Sequence, residues 1–231
     1  MRLPPVAWQC YRYQFLSRGG NIFLVRITVY IMSVNTEVDG ISIEIADESH
    51  LKYVDTILTT IEAAAKIRGT GIARRSPAYV EQKMLEGKAI IALHGNEFAG
   101  FCYIETWGNK EFVANSGLIV VDKFRGKGLA KNIKRKAFEL SRTKYPNAKI
   151  FGLTTGLAVM KINSELGYKP VTFSELTDDD SFWKGCQSCV NYDILQRTKR
   201  KHCLCTGMLF DPAQHKDGEN VKPADSTSDN S

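Results

Sequence analysis

From residue 39 onward the chain switches repeatedly between two hydrophobic periods, and their order predicts an α/β protein. Ile41, Ile43 and Ile45 alternate with Ser42 and Glu44, the period-two pattern of a half-buried strand. Leu51, Val54, Leu58, Ile61 and Ala65 recur three or four apart, with Asp47 placed to cap the helix and Gly69-Thr70-Gly71 to end it. Ser76-Pro77 opens a second helix, serine as cap and proline in the first turn, running to about Gly87. Residues 88–94 and 98–106 read as a hairpin turned at Gly95-Asn96-Glu97, and a long strand then runs through Val121. Leu129, Ile133, Ala137 and Leu140 mark a basic helix reaching Tyr145-Pro146. A strand over 148–153, a helix over 157–166 closed by Gly167, a sixth strand over 168–173 and a last one over 204–210 complete the series. The predicted order is β-α-α-β-β-β-α-β-α-β-β.

The junction at residues 117–130 carries the sharpest chemistry. An apolar strand (Gly117-Leu118-Ile119-Val120-Val121) meets a turn bearing Gly126 and Gly128, and a helix starts at once. Free N–H groups at a helix N-terminus, with the helix dipole behind them, form an anion cradle, and glycine lets a ligand come close to the backbone. There is no Gly-x-x-x-x-Gly-Lys-(Ser/Thr) and no Gly-x-Gly-x-x-Gly after a strand.

Arg125, Gly128 and Ala130 match the (Gln/Arg)-x-x-Gly-x-(Gly/Ala) signature, and with the flanking elements the stretch over about 39–211 resembles the GNAT acyltransferases. The resemblance implies a GNAT fold, a central mixed β-sheet with helices on both faces, and acetyl-CoA or another acyl-CoA as co-substrate. It implies that Arg125, Gly126, Lys127, Gly128, Leu129 and Ala130 hold the pyrophosphate, and that the main chain of Ile119, Val120 and Val121 contacts pantetheine and the thioester oxygen. Lys131 and Lys134 are candidates for the 3′-phosphate end, each equally readable as a solvated lysine.

Acyl transfer to an amine requires a neutral amine, a held thioester and a stabilised oxyanion. Glu105, late in the third predicted strand, is the candidate general base, with a surface carboxylate as the rival reading. Ser116, with Asn115, falls where many family members carry a glutamate, so a water chain would be needed there. Asn163 stands where many members have a tyrosine general acid, and it is expected to hydrogen-bond pantetheine or sulfur instead. In the loop between the first two helices, Arg68, Arg74 and Arg75 suggest a bidentate carboxylate clamp for an acidic acceptor; the rival is a solvated turn. Gly152-Leu153-Thr154-Thr155-Gly156 and the C-terminal cysteine segment are similar to GNAT enzymes proposed to make N-acylglutamate for arginine synthesis.

Six cysteines occur in the chain. Cys186, Cys189, Cys203 and Cys205 form a Cys-x2-Cys and a Cys-x-Cys pair thirteen residues apart, spacing that would close a structural zinc site. Reduced packing cysteines and a redox pair are the alternatives. Cys102 reads as core, and the four histidines fit no ligand pattern.

Composition adds limits. The 231 residues are 43% hydrophobic and 24% charged, ordinary values for a globular protein. The net charge of +6 includes four unopposed arginines in residues 1–33 and an acidic excess in residues 212–231. The body keeps enough positive charge to attract a phosphorylated cofactor, but not the dense basic stripe of a nucleic-acid binder. The apolar run from Ile22 to Met32 is too short for a bilayer and carries Arg26. Residues 1–38 are therefore expected to be an extension, mis-read start (Met32 as the true one) or disordered, with a cytoplasmic location following if they are not an address. Residues 39–211 are expected to be the acyltransferase domain with a cysteine-bearing insert at 177–203, and 212–231 a disordered tail.

The expected activity is direct transfer of an acetyl or succinyl group from acyl-CoA to a small acidic amine, glutamate first, with no nucleic-acid or membrane partner. Family analogy suggests a homodimer. The rivals are protein or polyamine acetylation and a non-catalytic acyl-CoA-binding or interaction module.

Overall fold

The computed structural model describes residues 9–18, 21–30, 36–68 and 75–215, with side chains from Asp39 onward, that of Arg68 apart. Two compact units divide at Thr36/Glu37, two residues from the expected boundary. In the first, β1 (Gln9–Arg18) and β2 (Asn21–Tyr30) pair antiparallel from Gln9↔Tyr30 to Arg18↔Asn21. Met32 lies outside the described residues.

The second unit is built on a sheet ordered β3-β4-β5-β6-β7-β8-β10-β9. Its strands are β3 (Thr36–Val38), β4 (Ile41–Ile45), β5 (Ala89–His94), β6 (Glu97–Trp107), β7 (Phe112–Val120), β8 (Lys149–Thr154), β9 (Lys169–Val171) and β10 (Thr206–Phe210). Pairing is antiparallel from β4 to β7, parallel between β7 and β8, and antiparallel again through β10 to β9. This is the mixed sheet the sequence predicts, with β10 inserted between β8 and β9.

Helices cover both faces. Asp47 caps a 3-10 turn that leads into α1 (Val54–Arg68), and Ser76 caps α2 (Pro77–Leu85) by accepting from the Tyr79 N–H. These two helices bury Val54, Ile57, Ile61, Val80 and Met84 against Ile91, Phe101, Tyr103 and Ile119. On the other face, α3 (Leu129–Lys144) buries the predicted stripe Leu129, Ile133, Ala137 and Leu140. α4 (Leu157–Glu165) follows β8. Each fully buried large aliphatic side chain contributes roughly 1.5–3 kcal/mol, so the stripe is the main anchor of α3.

The sixth strand is shorter than predicted. Its end becomes a 3-10 turn (Phe173–Glu175), where Thr172 and Glu175 form a capping box. The cysteine segment is helical, with α5 (Asp180–Lys184) and α6 (Tyr192–Arg197) too short to show a period in the sequence. Phe173, Trp183 and Leu195 there pack on Ala114, Phe151 and Leu209, on the same sheet face as α1 and α2. Asp179 ties this lobe to the sheet by accepting from the Gly108 N–H at 3.2 Å. Of the expected tail, Pro212–Gln214 form a short turn and His215 stacks on Phe210; residues 216–231 lie outside those described. Among the described residues no helix is long and apolar enough to cross a membrane.

Candidate active site

β7 and β8 form a fork. Their parallel pairing covers only Phe112↔Lys149, Val113↔Ile150 and Ala114↔Phe151, while β7 continues to Val120. Beyond Ala114 the strands part, and a cavity of about 530 Å³ fills the gap. β7 carries an extra residue at Gly117–Leu118, since Tyr103 pairs with Ser116 but Phe101 pairs with Ile119. Gly117 takes φ +67° there, where a Cβ would strike the Tyr103 ring at 2.8 Å. A bulge of this kind turns one side of the strand away from its partner.

The main chain facing the fork follows from alternation. The Val121 N–H donates to Ala99 O at 2.9 Å, so Val121 faces β6. Val120 faces the opposite way, and its carbonyl accepts from Arg125 Nε at 3.2 Å. By the same period Ile119 faces β6 and Leu118 faces the fork. Val120 of the expected trio, and Leu118 outside it, thus turn their main chain away from β6, and Leu118 lines the cavity.

At the open end of the fork lies the glycine turn. Gly126 (φ +80°) and Gly128 (φ +73°) adopt the left-handed region, and α3 starts at Leu129 with no side-chain cap. The N–H groups of residues 126–131 make no main-chain hydrogen bond among the described residues, the first inward bond being Asn132 N–H to Gly128 O at 3.2 Å. A Cβ at Gly126 or Gly128 would meet nothing within 4 Å. Arg125 is held beside the turn by Asp122 at 2.8 Å, and Lys127 is exposed. This is an open row of donors at a helix N-terminus, a site for a phosphate-like anion.

The closed end is different. Lys134 is only 2% exposed, so it is no surface ligand for a 3′-phosphate; Lys131 is paired with Glu165 at 2.7 Å. Lys134 has no hydrogen bond or carboxylate partner among the described residues. Its ammonium lies 5.3 Å from the Tyr168 ring centroid and lines the cavity. Burial pushes its pKa down to about 8 and the neighbouring Cys102 thiol up to about 11. Beside it, Asn115 donates to Ser141 Oγ and accepts from the Tyr168 hydroxyl, both at 2.9 Å. Burial holds the Tyr168 hydroxyl well above the usual tyrosine range. Asn163, also on the cavity, is 1% exposed, and its Oδ1 has no partner among the described residues.

The expected base is elsewhere. Glu105 does not line the cavity; it forms an ion pair with Lys83, itself 4% exposed, and accepts from the Tyr79 hydroxyl at 2.9 Å. That pair fastens α2 to β6. Burial, with Tyr103 and Glu105 beside it, drives the Tyr79 pKa far upward. Ser116 does line the cavity. No carboxylate and no histidine does so among the described residues.

The mouth on the α1/α2 side is set by Arg75, whose Nε donates to the Tyr103 hydroxyl at 2.7 Å with the guanidinium over the ring. Arg74 lies outside the described residues, and the side chain of Arg68 does too. Cys186, Cys189, Cys203 and Cys205 gather on the opposite wall as free cysteines. Among the described residues no group of three or more His, Cys, Asp or Glu is placed to hold a metal ion, so the zinc expectation finds no geometric support. Cys186, Cys203 and Cys205 pack instead against the aromatic cluster of the lobe. Burial, reinforced by the other cysteines, pushes the Cys186 thiol to about 11 and Cys205 to about 12, which keeps both protonated at neutral pH.

No family model matches the sequence, and no curated protein matches it. Solved structures do match the fold. N-acetylglutamate synthase from Neisseria gonorrhoeae, complexed with coenzyme A and N-acetyl-glutamate, superposes with TM-score 0.53 at 14% identity over 74% of this chain; the match spans 35% of the synthase. Rv2747 from Mycobacterium tuberculosis, complexed with CoA, gives TM-score 0.53 at 13% identity, covering 73% of this chain and 98% of that one. Salmonella typhimurium yncA, solved with its cofactor acetyl-CoA, gives TM-score 0.52 at 13% identity over 74% and 94%. The chain has the GNAT fold.

Proposed function

We propose that this chain is an acyl-CoA-dependent N-acyltransferase that acts on a small acidic amine, with glutamate the first candidate. One observation carries the reading: the N–H groups of residues 126–131, without main-chain partners among the described residues, stand at the open end of a fork along which Leu118 and Val120 turn their main chain away from β6. A diphosphate on the turn would lead a pantetheine arm along β7 to the Leu118 N–H, which would face the thioester oxygen. CoA complexes of proteins with this fold support that choice of ligand. The buried, partnerless Asn163 Oδ1 suits an amide N–H of the arm.

The amine nitrogen attacks the thioester carbon, the C–N bond forms, and the C–S bond breaks to release CoA thiolate. The amine's proton passes to water held by the Ser116 hydroxyl. Arg75 at the mouth suits an acceptor carboxylate, and Arg68 and Arg74 precede it in the sequence. The N-acetylglutamate complex of the Neisseria synthase favours glutamate within that class.

A second reading, a non-catalytic acyl-CoA-binding module, is favoured by the lack of any carboxylate or histidine on the described cavity wall. The two separate by measuring CoA release with a panel of amino acids beside calorimetric CoA binding. Release that rises with glutamate supports the enzyme, binding without release supports the module, and no binding overturns both.

A further inference from the structure

Lys134 has no role in the reaction above, yet it is a charged group buried in the cavity wall. A buried ammonium with no anion is expensive to keep. Asn115 beside it is held between Ser141 and Tyr168, and its side chain makes no hydrogen bond to the ammonium. Gly152 sits on β8 opposite, one residue past the last β7–β8 pair, where a Cβ would lie 3.8 Å from the Lys134 Nζ, so the ammonium stands at the fork itself.

Position decides what the missing anion is. The diphosphate turn is at the open end of the fork and Lys134 at the closed end. The Leu118 N–H stands between them. From Leu118 back to Asn115 is three residues of strand, roughly 10 Å, and that interval lies beyond the thioester carbon, where the acyl tail must go. Lys134 belongs to α3, on the sheet face opposite Arg75 and α2. It therefore meets the acyl tail and not the incoming amine. A single cation without a second one beside it matches a monoanion better than a phosphate.

Resting on the acyltransferase reading, we infer that Lys134 receives a carboxylate at the far end of the acyl group, so that the donor is the CoA thioester of a dicarboxylic acid. A chain of about four or five carbons reaches from the Leu118 amide to hydrogen-bond distance of the ammonium. The ion pair formed on binding supplies the anion that the described residues lack, and the same pocket disfavours acetyl, which would leave the charge unanswered.

The test is calorimetry on the full chain with CoA, its S-propyl thioether and its S-carboxypropyl thioether, beside initial rates with acetyl-CoA and succinyl-CoA. The carboxypropyl thioether should bind at least tenfold tighter than the propyl one, and succinyl-CoA should show the higher kcat/KM. In Lys134→Met the binding ratio should fall to about 1 or invert; Lys134→Gln gives a second reading should the first variant not fold. Equal binding of the two thioethers by the native chain overturns the inference and leaves the acyltransferase reading standing. So does a variant that loses rate equally with both donors while keeping the tenfold binding ratio, since that marks a proton-transfer role. Failure to bind CoA itself overturns the acyltransferase reading and this inference together.

Discussion

Among the described residues two lysines are buried, and they are buried differently. Lys83, on α2, is 4% exposed and sits against Glu105 with the Tyr79 ring 4.8 Å away. Lys134, on α3, is 2% exposed and has an aromatic ring but no carboxylate. The first is complete: its charge is answered inside the chain, and the pair holds a helix to a strand. The second is left open in a cavity. A buried charge that the fold itself neutralises is architecture, whereas one the fold leaves unanswered points to something that arrives from outside.

Removing the partner from the complete pair should have the largest effect. Glu105→Leu strands the Lys83 ammonium and should destabilise the protein by about 3–5 kcal/mol, read from urea unfolding. Lys83→Met/Glu105→Leu together should recover most of that loss, with CoA release per folded molecule retained. A double variant that is stable yet inactive would return Glu105 to the chemistry. Next in size, Gly128→Val forces a branched side chain into φ +73° and covers the N–H row. CoA affinity should fall about 100-fold, close to 3 kcal/mol, with a smaller loss of stability, as calorimetry and melting will report.

Lys134→Met should have the opposite sign from Glu105→Leu. With its pKa lowered from 10.5 to about 8, the native lysine is charged in both folded and unfolded chains below pH 8, and the whole cost is present there. Between pH 8 and 10.5 the folded chain gives up its proton first, so native stability rises with pH. The variant should be more stable by up to roughly 3 kcal/mol at pH 7, and the gap should close by about pH 10.5. Urea unfolding at pH 7, 9 and 10.5 checks it; a gap that does not depend on pH means the lysine is solvated. Smallest, Arg75→Ala should raise KM for an acidic acceptor about tenfold and leave the donor KM unchanged, measured by steady-state rates.

Whatever depends on local pattern was legible in the sequence. Ser76-Pro77 caps α2, the stripe from Leu129 to Leu140 is the buried face of α3, and the glycines at 126 and 128 take the left-handed turn before it. What depends on distant partners was not. Glu105 reads as a candidate base until α2 brings Lys83 to it, a contact set by packing between remote elements. Lys134 reads equally as a ligand for the 3′-phosphate end and as a solvated lysine. Its signal was present but faint: it stands three residues before Ala137 and seven before Ser141, a polar position on the buried face. The lobe around α5 and α6 left no period to read, because helices of five and six residues complete barely one turn.

β10 has a consequence of its own. It hydrogen-bonds to β8 on one side and β9 on the other, at residues 206–210. A chain that stops short of Thr206 therefore loses one strand, leaves β9 without its partner and leaves β8, an arm of the fork, paired on the β7 side alone. The fork is thus assembled from the middle of the sequence but steadied by its late part, and a premature stop after the last cavity-lining residue, Cys205, should be as damaging as one inside the site.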